Sequence, residues 1–456
     1  MKVRVLAGLT CLLLWGTVPV SSQATAFVNV NVLPMDRERV LPEHTVLVRN
    51  GLIEEVAPSH RVQVPEGAVV IQGDSLFLMP ALADMHVTLP SSSATEGEVR
   101  DFFRLLLANG VTTVRGMHGA SNHLQLKRDV ASGSILGPTL YVGAPPMGGW
   151  TTEDPQGAID LMLSYRSSGY DFLPVAGDIA PNVWDSLAEE AHSRGYTFGG
   201  TIPEVVGLRG ALSSGISTVE HLDGYLKEVV SDEVRARMDR GEAVPLQTQL
   251  EAVEGRKMRA MAAHTRSSDT WVVPTMYLWE NRGRNLNVDS ILALPEMRYV
   301  PDFILDGWIL EASAGNWLSD ETAELQAEVR GRILRALTMA GVGVLAGTDS
   351  PAMFNILGFS LRHELRSMQA AGLTPYEVLV SGTRNVGEYA RRELLEPGNF
   401  GTVEEGNRAD LILLKGDPFQ DLENLWSQEG VMIRGRWIPR TEIEEWLQDM
   451  TERSGG

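Results

Sequence analysis

Cysteine, histidine and positive charge are all scarce in this chain. Its 456 residues include one cysteine, Cys11. A lone thiol closes no internal disulfide and cannot supply the several thiolates of a cysteine-built zinc site. Lys and Arg total 39 against 59 Asp and Glu, a formal charge of −20. A surface that acidic repels a phosphate backbone, which argues against nucleic acid as a partner. Histidines number nine, so any imidazole metal site or general base must come from that small set. Long apolar runs are also missing, except for one at the N-terminus.

That run, residues 5–20, follows Met1-Lys2-Val3-Arg4 and precedes Ser21-Ser22-Gln23-Ala24-Thr25-Ala26. A basic start, an apolar stretch and then small residues make up a secretory signal, with cleavage after Ala24 or Ala26. The run is shorter than the ~20 apolar residues that span a bilayer, so a cleaved leader over residues 1–24 is the reading, not an anchor. Export to the periplasm or the medium follows, with no membrane attachment afterwards. Cys11 leaves with the leader, and a mature chain without cysteine suits an oxidising compartment. With 43% hydrophobic and 21% charged residues, the remainder reads as folded rather than disordered. Its length allows two or three domains, or one large barrel with an appendage.

Two rhythms divide the mature chain. Short β-rich stretches come first, at 27–33, 44–56, 68–71 and 75–79, with Asn50-Gly51 as a hairpin turn. From Pro80 onward, apolar strand-like runs alternate with amphipathic helices. Strand candidates are 111–114, 140–142, 172–175, 198–202, 218–220, 272–276 and 342–346. Helix candidates include 96–108, 183–193, 204–213 and 323–340. This alternation predicts parallel βαβ units and a (β/α)8 TIM barrel over 80–394, with its chemistry at the C-terminal strand ends. Near Glu396 the rhythm turns β again, with strands expected at 401–406, 409–414 and 431–437. Residues 25–79 and 395–441 therefore form one composite β-sandwich domain, and 442–456 is left as a C-terminal tail.

Several motifs then carry a resemblance. They are Leu78-Met79-Pro80-Ala81-Leu82-Ala83-Asp84-Met85-His86-Val87-Thr88, Asn109-Gly110-Val111-Thr112-Thr113-Val114-Arg115, Val219-Glu220-His221-Leu222-Asp223-Gly224, Leu345-Ala346-Gly347-Thr348-Asp349-Ser350-Pro351, and Gly406-Asn407-Arg408-Ala409-Asp410-Leu411. In order and spacing the chain resembles the amidohydrolase superfamily, in its imidazolonepropionase-like and Xaa-Pro-dipeptidase-like branch. The resemblance implies hydrolysis of C–N bonds on a divalent metal, zinc first, which lowers the pKa of water toward ~7.

It also implies a ligand set, and this chain keeps half of it. The family pattern is His-x-His on the first strand, a carboxylated Lys on the fourth, His on the fifth and sixth, and Asp on the eighth. His86, His221 and Asp349 fill three positions. The others fall on Thr88, Pro174 and Thr201. A neutral hydroxyl binds these metals weakly and proline offers no side-chain ligand, so a binuclear site is not expected. Two His and one Asp suffice for a single ion. His118 and His363 are expected near the substrate. Tyr225, with Trp150, Trp279 and Tyr277, falls where it could line a pocket.

Each of these residues has a plainer reading. His86 and His221 also fit as hydrogen-bonded core histidines, and Asp349 as a helix cap. His118 and His123 read as surface-loop residues, the aromatics as helix packing. Three functions follow. One is a mononuclear metal hydrolase of a small amide, cyclic amide or dipeptide, with Asp349 as ligand and catalytic base. Another is a non-catalytic homologue, without metal, that binds a ligand or assembles. The third is a metal-independent hydrolase relying on Asp349 with a histidine. A small amide or dipeptide-like molecule is the expected partner, beside further copies of the chain.

Overall fold

The computed structural model describes residues 23–151, 154–315 and 317–454. The expected leader lies outside them but for its last two residues.

One sheet is built from both ends of the chain. Its strands are β1 (Thr25–Val32), β2 (Leu41–Arg49), β3 (Leu52–Pro58), β4 (Val69–Gln72) and β5 (Phe77–Pro80) from the N-terminal part. The alternating stretch at 44–56 folds back on itself at Asn50 and Gly51, both with positive φ, as an Asn-Gly hairpin turn requires. The C-terminal part returns to pair with β5, and its strands complete the order given below. Between these two contributions lie seven short parallel strands: β6 (Leu82–Val87), β7 (Val111–Gly116), β8 (Thr139–Val142), β9 (Leu173–Val175), β10 (Phe198–Gly200), β11 (Thr218–Glu220) and β12 (Trp271–Val273). The chain ends with β13 (Leu411–Leu414), β14 (Gln428–Ile433) and β15 (Arg436–Pro439), giving the sheet order β15-β14-β13-β5-β1-β2-β3, with β4 beside β1.

The seven parallel strands run as β6-β7-β8 and as β9-β10-β11-β12. A parallel bridge from Gly143 to Phe172 joins the two groups. The eighth stave is the segment 342–350. It bridges β12 through Val272 and Val344 and β6 through Val87 and Ser350, which closes the ring. It was expected as a strand at 342–346, but these contacts are single bridges. Gly347 is one reason the segment fits: a Cβ there would lie 2.5 Å from Val273 Cγ1 and 3.0 Å from His86 Cβ.

Ala83 and Met85 of β6, Tyr141 of β8, Trp271 and Val273 of β12, and Leu345 form one buried cluster, together with Val386, Tyr389 and Ala390 of helix Arg384–Glu393 and with Phe400. Some of the helices around the ring start at side-chain caps. Thr95 and Glu98, for example, make a reciprocal capping box for helix Glu96–Ala108.

Three expectations change. Residues 401–406 form no strand, because their backbone bonds serve a loop that clips onto Pro34 and Ile53. Met276 opens helix Met276–Gly283, so β12 is shorter than expected. The expected tail is a helix, Arg440–Ser454, whose Ile443, Trp446 and Met450 are buried. Its Trp446 ring lies 5.2 Å beneath the Arg104 guanidinium of helix Glu96–Ala108. Among the described residues no helix is long and apolar enough to cross a membrane.

Candidate metal centre

Three strand ends converge on one point. His86 is the penultimate residue of β6, His221 follows β11, and Asp349 sits in the eighth segment. One ligand atom from each lies within 4.8 Å of the other two. The His86 and His221 rings are 4.9 Å apart and tilted by 46°. His86 Nε2 is 3.3 Å from Asp349 Oδ1, within ion-pair reach but without hydrogen-bond alignment, so it is a buried nitrogen with no hydrogen-bond partner. A nitrogen left in that state costs free energy unless something occupies it.

The backbone is bent to present these groups. His221, Leu222, Thr275 and Asp349 all have φ between 44° and 59°, a region that costs non-glycine residues of order 1–3 kcal/mol and concentrates at functional sites. Neighbours hold it there. Asp84 accepts from the backbone N–H groups of His86 at 3.2 Å and Thr348 at 3.0 Å, and from Thr348 Oγ1 at 2.6 Å. His221 Nδ1 is 2.8 Å from Thr275 Oγ1, which leaves its Nε2 as the ring atom for the site. Arg330 donates to the carbonyl oxygens of His221 at 3.0 Å and Pro274 at 2.8 Å.

Behind His86 lies a buried charge pair. His86 Nδ1 is 2.9 Å from Glu220 Oε2, and Arg115 Nη2 donates to Glu220 Oε1 at 2.7 Å. Burial opposes ionisation of Glu220, but the Arg115 guanidinium outweighs it and holds the carboxyl well below its usual range. Burial likewise works against a charged His86, and the carboxylates of Asp349 and Glu220 overcome it and raise its pKa, so coordination through Nε2 would displace a proton. His221 moves the other way: burial, then the neighbouring His86 charge, keep it neutral and able to coordinate. Asp349 is held ionised by His86 and His221 against the effect of burial.

The remaining expected residues scatter. His118, just after β7, keeps part of its surface in solvent, and partial desolvation of its ring and the His86 charge lower its pKa. His363 pairs with Glu296 at 3.0 Å and stacks on Tyr277 at 4.6 Å. Tyr225 is a correction: it is buried, with its hydroxyl 2.9 Å from Thr265 Oγ1 of helix Gly255–Ser267, so it packs a helix. His123 is another, because it lies in no exposed loop. It is 2% exposed and accepts from the Ala120 N–H at the start of its helix. Trp150 is exposed, and Trp279 lies under Arg330 at 5.0 Å. Thr88, Pro174 and Thr201 fall after or within β6, β9 and β10, at the staves expected for them. Arg115, Glu220, Thr275 and Arg330 carried no assigned role in the sequence. A glutamate directly before a matched ligand and an arginine inside an apolar strand were the available signals for the first two. Nothing local marks Thr275 or Arg330.

Residues 77–438 match the amidohydrolase family, and the chain belongs to it. No curated protein sequence matches. Among solved structures, a bottromycin amidohydrolase superposes with a TM-score of 0.70 at 21% identity, covering 95% of this chain and 91% of that one. A Xaa-Pro dipeptidase with bound methionine in its active site gives 0.63 at 17% identity, over 91% of this chain and 100% of the other. Molinate hydrolase gives 0.66 at 17%, over 92% and 96%. At these identities the likeness speaks for the shared fold.

Proposed function

We propose that the protein hydrolyses a C–N bond of a small amide, cyclic amide or dipeptide with one divalent ion, zinc by preference, held by His86, His221 and Asp349. The observation that carries this reading is the convergence of three ligand atoms within 4.8 Å, one of them a buried nitrogen without a hydrogen-bond partner. Three protein ligands are the complement of a catalytic zinc site, which keeps a further position open. Thr88, Pro174 and Thr201 supply no comparable donors, so the reading stops at one ion.

When bound, the ion supplies Lewis acidity to a substrate carbonyl and to water. The chain's own groups do the rest. Asp349 Oδ1 faces His86, and Oδ2 is the atom left to take a proton from the attacking water and return it to the leaving amine. The acidity of Asp349 keeps it in the accepting form. His118 and His363 are the residues assigned in this reading to meet the substrate's outer part. Export to the periplasm or medium, action on a small molecule away from nucleic acid and membrane, and self-association complete the proposal.

A second reading has an observation of its own. The His86 ring already bridges Glu220 and Asp349, so the site can close on itself as an ion pair in a non-catalytic homologue. Metal analysis of the dialysed mature protein, with a panel of small amides and dipeptides, separates the two. Near one ion per chain with chelator-sensitive turnover supports the hydrolase. No metal and no turnover leaves the non-catalytic homologue. Chelator-resistant turnover lost in Asp349→Asn selects the metal-independent hydrolase.

A further inference from the structure

We propose that Arg115 and Glu220 are positioning residues for the metal centre, acting through His86 to aim one ring nitrogen at the ion. The inference rests on the metal reading above and adds what makes His86 a ligand.

An imidazole offers two nitrogens, and the partner of one decides the availability of the other. Glu220 Oε2 sits 2.9 Å from His86 Nδ1, with both side chains almost fully enclosed. The ring therefore gives its Nδ1–H to Glu220, and Nε2 is the atom turned toward His221 and Asp349. Glu220 is itself held, because its other oxygen accepts from Arg115 Nη2. Arg115 is fully buried, and its remaining donor groups are engaged as well. Nε donates to the carbonyl of Met85 at 2.7 Å, and Nη1 reaches Thr218 Oγ1 at 3.2 Å and Tyr389 Oη at 3.0 Å. The guanidinium thus ties the residue before His86 to β11, which leads into His221, and to helix Arg384–Glu393.

Such a pair is a costly way to fill a barrel. Desolvating two charges is repaid only by near-complete hydrogen bonding, and apolar side chains of similar volume often do as well or better for stability. Orientation is what the apolar filling cannot give. Glu220 serves two donors with two separate oxygens. Glutamine in its place has one oxygen and one NH2 group, so either His86 Nδ1–H or Arg115 would face a donor.

The test is cobalt and zinc binding by the wild-type chain, by Glu220→Gln and by the double variant Arg115→Met/Glu220→Gln. Dissociation constants and the visible ligand-field spectrum of the cobalt forms are read together with circular dichroism. The double variant removes both charges, so a stranded arginine cannot account for its behaviour. Both variants are expected to bind roughly 10–100-fold more weakly, with displaced cobalt bands and an unchanged fold. Wild-type affinity and spectrum in a folded variant overturn this inference alone. Failure of the wild-type chain to bind either ion overturns the metal reading, and this inference with it.

Discussion

The backbone N–H of Asp349 donates to the carbonyl oxygen of His86 at 2.8 Å, and the two side chains meet again at 3.3 Å. The first and last staves of the barrel are thus locked where both carry a ligand. Asp84 adds a further tie by accepting from Thr348. The lock explains how Asp349 keeps a left-handed conformation that a free aspartate would leave.

Asp349→Asn should keep this lock and lose the ion. The amide preserves shape and the backbone bond, but it removes the negative charge that a divalent cation needs. An ion present at about 100 times its dissociation constant stabilises the folded state by about 2.7 kcal/mol. Calorimetry with and without zinc should therefore show a rise in Tm for the wild-type chain and none for the variant. An equal rise in both would place the ion elsewhere.

Restoring the family ligands should add a second ion. In Thr88→His/Pro174→Lys/Thr201→His, the metal content measured by mass spectrometry should go from one to two per chain. The lysine has the least room to enter. Pro174 pairs with Gly199 in the sheet and crowds Gly143, where a Cβ would come within 2.6 Å of the proline ring. A content that stays at one would show that the walls, and not only the ligands, have changed.

The parts of the fold legible in the sequence were those written in local pattern. Helix Glu96–Ala108 falls where its apolar spacing puts it, and the Asn50-Gly51 hairpin is where positive φ was expected. The eighth stave reads as an apolar strand, but its pairing is broken by the bends that present Asp349, which depend on β6 and not on its own residues. Helix Arg440–Ser454 was missed because its apolar residues are few and gain their meaning only against the elements they pack on, Arg104 and its helix on one side and β14 and β15 on the other. The site divides in the same way. His86, His221 and Asp349 could be found because motifs surround them. Arg115, 105 residues away from its partner Glu220 in sequence, could not be paired with it before the barrel closed. Tyr225 misled because a loop position says nothing about which way a ring turns.

Glu364 should make stability fall as pH rises. Its side chain is fully buried, Oε2 accepts from the Tyr277 N–H at 2.8 Å, and Oε1 has no partner. Burial raises its pKa to about 8, against 4.5 for the free group, despite opposing backbone N–H groups. Between these values the folded state holds a proton that the unfolded state releases. The contribution is therefore complete below pH 4.5 and is lost as pH climbs through about 8. Each unit of displacement is worth ~1.4 kcal/mol. Glu364→Gln keeps an acceptor for Tyr277 and cannot ionise, so urea midpoints between about pH 5 and 9 should decline less in the variant. Parallel declines would show that Glu364 is already ionised in the fold.

Arg330→Lys should loosen His221 without emptying the site of ligands. The planar fork of Arg330 spans two carbonyls, those of His221 and Pro274, and each belongs to a turn with left-handed residues: His221 and Leu222 in one, Thr275 in the other. Thr275 in turn meets His221 Nδ1, so the clamp fixes both the ligand and the group that orients its ring. An ammonium is a point donor and cannot reproduce the fork. One buried carbonyl then loses its partner, at a cost of ~1–3 kcal/mol, and Tm should drop by a few degrees. Zinc affinity should fall as well, since His221 can relax away from its strained backbone. Arg330→Met should cost more, because Asp223 and Glu280 would lose the cation they share. A lowered Tm with zinc affinity intact in Arg330→Lys would assign the clamp to the fold alone and leave Thr275 to hold the ligand.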